Sequence, residues 1–284
     1  MPTTATLTQT PSTVPLLLKA LATSSRKPGR EPVIPELELR LSGLRADRER
    51  LAAYCGVCGF DSSDVLPITY PQVMANPLVM SAMAHPEFPL PMMGIVHVSS
   101  RFEQPRPLAV DEAYDVVVRT GESRRVKAGL EFDLISELTL GGEPVYRGVM
   151  SVLYRIPGPK QQSPRPSAPE AHLADYIPFD APESQGRRYA AVSGDYNPIH
   201  LYAPTAKLLG FKRHIAHGMW SVARCAALLQ PQLEHAPKSL EVAFKQPLFL
   251  PGKVAVKYQP TDTGIEFALL SRNSDKVHLA GSLR

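Results

Sequence analysis

Tyr189-Ala-Ala-Val-Ser-Gly-Asp-Tyr-Asn-Pro-Ile-His200 is the stretch on which the reading of this chain turns. It begins like a helix and ends like a bend. Gly194 permits backbone angles that other residues resist, and Pro198 stiffens the bend after it. Asp195, Asn197 and His200 crowd into that bend. A carboxylate and an imidazole held this close can converge on one water, as proton transfer at a reacting carbon or oxygen requires. Taken singly, Asp195 and Asn197 are ordinary turn formers, and His200 would be an ordinary packed histidine. Their weight comes from a second segment, His214-Ile-Ala-His-Gly-Met219, which precedes an apolar helix. An amide at a helix start has no partner within the helix and lies at the positive end of the dipole. Gly218 is therefore a candidate oxyanion donor. Tight helix packing would also explain a glycine there, and His217 either lines the site or packs beneath it.

Outward from this stretch, the chain reads as a tandem repeat. Phe102-Glu-Gln-Pro-Arg-Pro-Leu108 matches Phe244-Lys-Gln-Pro-Leu-Phe-Leu250 at an offset of half the chain. Leu51-Ala-Ala-Tyr-Cys-Gly56 similarly echoes Tyr189-Ala-Ala-Val-Ser-Gly194. Each half opens with an extended segment (35–41 and 175–179). A short helix comes next (46–54 and 182–192), then a more apolar helix (77–85 and 218–229). Alternating, β-branched segments complete each half, at 113–119, 130–140 and 145–154, and at 240–244, 253–258, 265–271 and 277–283. Gly141-Gly142 and Asn273-Ser274-Asp275 supply the turns. Each half is an α+β unit, an antiparallel sheet on one main helix, and two such units can pair their sheets within one chain. The expected domains are a flexible arm (1–30), an N-terminal unit (31–155), a Pro/Ser-rich linker (156–170) and a C-terminal unit (171–284).

Composition narrows the function. The 284 residues carry 31 basic and 27 acidic side chains, scattered and without a basic tract, which argues against nucleic acid. Three cysteines do not make a secreted disulfide framework. Cys55-Gly-Val-Cys58 has no second ligand pair, so neither metal nor redox chemistry is assigned to it. No apolar run is long enough to span a bilayer. The first 30 residues are rich in Thr and Ser but poor in Arg, which disfavours a transit peptide. A cytoplasmic protein is expected. Lys212 and Arg213, beside His214, form a small basic cluster that suits substrate phosphates or simply a solvated loop. His97 lies on an expected strand and reads as packed. Met74, Met80, Met83, Met92 and Met93 suit either core or the lining of an apolar pocket.

The segments Ser193-Gly-Asp-Tyr-Asn-Pro-Ile-His200, Leu209-Gly-Phe211 and His217-Gly-Met219 resemble the signature of MaoC-like (R)-specific enoyl-CoA hydratases and dehydratases. The resemblance spans roughly residues 175–284 and implies the hot-dog fold, a long helix wrapped by an antiparallel sheet. The tandem arrangement looks like the double hot-dog members, in which one half keeps the catalytic residues. By resemblance, Asp195 and His200 are the catalytic dyad, Asn197 holds the loop and Gly218 is the oxyanion donor. Ser193, His217, Met219, Lys212 and Arg213 are candidate substrate contacts. In the register of Gly56 with Gly194, Val57 replaces Asp195 and Ser62 replaces His200, and Asn76-Pro77 stands near His217-Gly218. The N-terminal half is therefore expected to be silent. The implied reaction is reversible hydration of 2-enoyl thioesters in fatty acid metabolism, with no metal and no cofactor. The partner is an acyl-CoA or acyl-carrier-protein thioester. Thioester hydrolysis and mere acyl-thioester binding are the competing readings. Monomer and homodimer of the fused chain both fit.

Overall fold

The structure, a computed structural model, describes residues 3–29, 31–156, 173–274 and 276–284. Strand β1 (Thr3–Leu7) and helix α1 (Thr13–Ala22) come first. The first half continues with β2 (Leu37–Leu44), α2 (Arg48–Cys58), α3 (Tyr70–Ala84), β3 (Ile95–Glu103), β4 (Tyr114–Val126), β5 (Gly129–Leu140) and β6 (Glu143–Arg155). The second half repeats this order with β7 (Asp175–Ala181), α4 (Gln185–Ser193), α5 (Ala203–Leu208), α6 (Gly218–Leu229), β8 (Ser239–Phe244), β9 (Gly252–Thr261), β10 (Gly264–Ser271) and β11 (Val277–Leu283). The expected linker, except Ile156, and the turn residue Asp275 lie outside the described residues.

The eleven strands among the described residues form one sheet, in the order β1-β2-β4-β5-β6-β3-β8-β11-β10-β9-β7. Apart from β1 the order is palindromic, with each strand of one half mirrored by its counterpart in the other. The halves join where β3 runs antiparallel to β8, Ser100 opposite Val242 and Phe102 opposite Leu240. Strand side chains alternate between faces. In β4, Tyr114, Val116, Val118 and Thr120 point inward and are buried. The inner face wraps α3 and α6, both apolar through most of their length.

Three expectations need correction. Residues 3–29 of the expected arm are not loose: β1 pairs in parallel with β2, and Leu16 and Ala20 of α1 are buried. Thr/Pro richness conceals a strand that adds to a sheet edge, a role that needs backbone groups more than side chains. Helix α3 begins at Tyr70, with Pro71 in its first turn and Pro77 inside. Pro77 reads as a helix start in the sequence, but burial along the helix outweighs the hydrogen bond lost at an internal proline. Third, the register between halves is wrong by three residues. The left-handed glycine that ends α4 is Gly194 (φ 80°), and its counterpart ending α2 is Gly59 (φ 85°), not Gly56. Phe60, not Val57, therefore comes next in the place of Asp195.

The bridges Val65 to Ala109 and Ile215 to Phe249 also correspond between the halves. Only residues 60–64 separate Gly59 from its bridge, whereas residues 195–214 separate Gly194 from the matching one. Most of the segment carrying Asp195, Asn197, His200 and α5 is thus an addition to the second half.

Arg26 fastens the N-terminal segment. Its guanidinium donates to the carbonyls of Met83, Ala84, His85 and Leu90, at 2.7–3.2 Å. Three of these are at the C-terminal end of α3, where carbonyls lack helical partners. Arg26→Ala should lower stability by about 2 kcal/mol, a fall in Tm of several degrees, measured by thermal unfolding.

Candidate active site

Helix α4 delivers the site. Its C-terminal turn ends at Gly194 in the left-handed region, and the chain reverses into Asp195. The Ser193 hydroxyl accepts from the Asp195 amide at 3.2 Å. The Asn197 amide donates to Asp195 Oδ1 at 3.1 Å, and Asn197 Oδ1 accepts from the Ile199 amide at 3.3 Å. Pro198–His200 then form one turn of 3-10 helix. Local side-chain-to-backbone bonds of this kind explain why Ser, Asp and Asn occupy these positions. Asn197 thus caps the 3-10 turn through its side chain. Ser193 is buried with its hydroxyl committed to the loop, a position unlike the substrate contact expected of it.

The His200 ring is buried, and its Nδ1–H donates to the Ile215 carbonyl at 2.9 Å. That bond fixes the tautomer and leaves the Nε2 lone pair free. His217, also buried, stacks on it with ring centroids 3.8 Å apart. Its Nε2–H donates to the Asp195 carbonyl at 2.9 Å, and the same nitrogen lies 3.8 Å from Asp195 Oδ2. His217 Nδ1 is buried without a hydrogen-bond partner. The Asp195 side chain stays 43% exposed. Among the described residues, Asp195, His200 and His217 are the group of potential ligand side chains whose donor atoms converge, all within 4.8 Å. Two hydrogen bonds to backbone carbonyls leave this trio one free lone pair on each ring and one open carboxylate.

Burial lowers the His200 pKa to about 3, helped by the neighbouring His217 and opposed by Asp195. Burial likewise lowers that of His217, against the pull of Asp195. For Asp195, desolvation acts upward, but the two imidazoles and the Asn197 amide outweigh it and hold the carboxyl below its usual range. The resting state is a carboxylate beside neutral imidazoles.

Gly218 is the first residue of α6, with His217 as its N-cap. A Cβ on Gly218 would come within 2.8 Å of the Phe244 ring, so glycine lets the helix start meet β8 closely. Met219, half-buried in the same turn, accepts from the Ser100 hydroxyl at 3.8 Å. Lys212 and Arg213 are exposed on the approach to His214, and Arg213 donates to the Pro251 carbonyl. Neither has a contact with the Asp195–His200–His217 trio.

Several supporting residues carry no signal in the sequence. Arg50 of α2 donates to the Val192 carbonyl at 2.8 Å and flanks Gly194. Reciprocally, Trp220 and Arg224 of α6 donate to the carbonyls of Val57 and Cys58 at the end of α2. Gly186 lies under the site, where a Cβ would fall 1.8 Å from the His200 carbonyl oxygen. Only the Tyr189–Gly194 likeness to the first half hints at such support; nothing local marks these residues. Hollows of about 380 and 350 Å³ open on the outer face of the sheet, around Arg101, Arg147 and Glu241 and around Glu241 and Ser282. Neither includes the trio, which is the candidate site on its chemistry and not on the size of a hollow.

Comparison with known proteins gives the family and the fold. The MaoC like domain family matches residues 159–278. The chain is 31% identical over 281 residues, 96% of its length, to 3-hydroxyacyl-thioester dehydratase X of Mycobacterium tuberculosis, of which 98% is covered. The crystal structure of that protein, HtdX, superposes with a TM-score of 0.76 at 30% identity, covering 87% of this chain and 99% of that one. A MaoC-like dehydratase from Phytophthora capsici shares the fold, with a TM-score of 0.72 at 20% identity over 88% of this chain and 94% of that one. A double hot-dog protein from M. tuberculosis does so with a TM-score of 0.54 at 11% identity over 92% and 96%. The α+β double hot-dog expectation holds.

Gly186→Ala should push the His200 carbonyl out of place. A loss of about 1–3 kcal/mol is expected from overpacking. The displaced imidazole should show by NMR as a shift of the His200 and His217 ring signals.

Proposed function

The chain belongs to the MaoC-like dehydratase family and is a hydro-lyase, and from that premise we propose that it interconverts 3-hydroxyacyl and trans-2-enoyl thioesters at Asp195 and His200. The observation that carries the reading is the paired resting state: an ionised carboxylate and a neutral imidazole whose free Nε2 is set by the Ile215 bond. Two proton acceptors side by side suit abstraction from C2 of a thioester.

In dehydration, Asp195 and His200 between them take the C2 proton. The electron pair moves into the C2–C3 bond, and the 3-hydroxyl leaves with a returned proton as water. Hydration runs the same path backwards. The Gly218 amide, unpartnered within its helix, donates to the thioester oxygen and stabilises the enolate charge. Asn197 keeps the loop in shape, and His217 backs His200 from below. Coenzyme A is the proposed acyl carrier, with a carrier protein the other source of the same thioester. The (R)-configured alcohol is the proposed isomer, and fatty acid metabolism in the cytoplasm the proposed setting. Three free, buried cysteines suit a reducing compartment. No helix among the described residues is long and apolar enough to cross a membrane. The N-terminal half, with Phe60 after its turn and only residues 60–64 where the second half has 195–214, is proposed to be without chemistry of its own.

Crotonyl-CoA should lose its enoyl absorbance on mixing with the protein, and Asp195→Asn should slow this by about 10²–10⁴-fold without altering thermal unfolding. Near-normal turnover in that variant would sink the assignment.

The shifts set the pH profile. Both pKa values are lowered, so the active pair, ionised Asp195 and neutral His200, persists as pH falls. The kcat/KM should stay flat from pH 8 down to about 5, whereas a histidine at its ordinary value would begin to protonate near 6.5. An acid limb centred near 6.5 would contradict the shifted pair.

A further inference from the structure

The N-terminal half reaches the site through β3. In its pairing with β6, His97 stands opposite Val152 and Ser99 opposite Ser151, leaving Val98 as an extra residue. This is a β-bulge, which re-aims the side chains on one side of it. Ser100 and Phe102 point inward and are buried, whereas Ser99 points out with Ser151. Without the bulge His97 would share the outward face of Ser99. With it, His97 sits opposite inward-facing Val152 and turns toward the helices.

There His97 meets the site. Its ring lies 4.7 Å from the ring of Phe244, the side chain packed against Gly218. Its Nε2–H donates to the Ser99 carbonyl at 3.0 Å and to the Ser100 hydroxyl at 2.8 Å. The Ser100 proton then points to Met219 Sδ. The tautomer is thereby fixed, and Nδ1 carries the lone pair. Among the described residues no hydrogen bond is made to that nitrogen. Burial lowers the His97 pKa to about 4, with Asp195 near enough to pull it upward, so the ring is neutral at physiological pH.

We infer that His97 is a substrate-contacting residue, its Nδ1 accepting a hydrogen bond from the amide N–H of the mercaptoethylamine arm that carries the acyl group. The inference rests on the thioester reading proposed above. An enoyl chain has no donor to offer. The 3-hydroxyl of the hydrated form is engaged at Asp195 and His200. The first amide of the arm is the nearest remaining donor, and coenzyme A and a carrier protein both present it. With the thioester oxygen at the Gly218 amide, that nitrogen lies four bonds from the carbonyl carbon, a reach of roughly 5 Å. Phe244 links the two points, its ring 2.8 Å from where a Gly218 Cβ would stand and 4.7 Å, centroid to centroid, from the His97 ring. His97 is half-buried and its Nδ1 is not enclosed, so the N–H of an incoming arm can reach it.

The test uses two crotonyl thioesters, of N-acetylcysteamine and of 2-mercaptoethyl acetate, which differ by an N–H replaced with an ester oxygen. The full-length wild type should prefer the amide by about tenfold in kcat/KM, the value of one hydrogen bond, mainly through KM. His97→Phe should abolish the preference by slowing the amide substrate alone, and His97→Gln, which keeps an acceptor, should restore part of it. Thermal unfolding of each variant checks the fold, and the glutamine variant carries the test if the phenylalanine one does not fold. A wild type without preference, or a His97→Phe variant that keeps the preference or slows both substrates equally, overturns the inference while leaving the dehydratase reading intact. Wild-type inactivity on both thioesters and on crotonyl-CoA overturns the reading of the site and this inference with it.

Discussion

The antiparallel pairing of β3 with β8 is the constraint on which the rest depends. Each half has a short strand whose free edge would present unpaired amides and carbonyls. Joined, the two edges satisfy one another and make one sheet from two. The same joint sets side chains of one half against the other: His97 against Phe244, Ser100 against Met219, and through Phe244 the start of α6. The site therefore belongs to the seam as much as to the second half. Arg50, Trp220 and Arg224 extend the seam along the helices, each donating to carbonyls at the end of a helix in the opposite half.

The electrostatics arise from burial around a partly open carboxylate. Two stacked imidazoles without solvent around them resist protonation, and their nearness helps keep Asp195 ionised. The hydrogen bonds to the carbonyls of Ile215 and Asp195 fix the tautomers and hold the rings, but they act upward on both imidazoles, so it is burial that keeps the pair neutral.

Periodicity and local turn chemistry are the legible part of this sequence. The alternation of Tyr114–Thr120 and the Gly141-Gly142 turn place strands correctly, because side-chain burial and positive φ are local demands. The Asp195–His200 bend is legible for the same reason: its hydrogen bonds run two residues along the chain. Long-range demands are not legible. Nothing near Arg26 announces the carbonyls it meets across the fold, and nothing near Gly186 announces the His200 carbonyl. His97 reads as a packed strand residue because a bulge, which reverses the facing of a side chain, leaves no mark in alternation. The repeat shows in the sequence, but its register slips because one half holds a segment the other lacks, and a constant offset cannot describe that.

The seam also governs how the molecule is made. Strand β3 ends at Glu103, and its partner β8 begins at Ser239. Contacts so distant in sequence slow folding, because loop closure comes before any return in binding. At synthesis rates of about 5–20 residues per second, the β3 edge waits roughly 7–30 s for its partner to emerge. During that wait it is open to other strands, including those of neighbouring nascent copies. The charges on its outward face, Arg101 and Glu103, which pair with one another at 2.6 Å, sit where they oppose such mispairing before the native edge arrives.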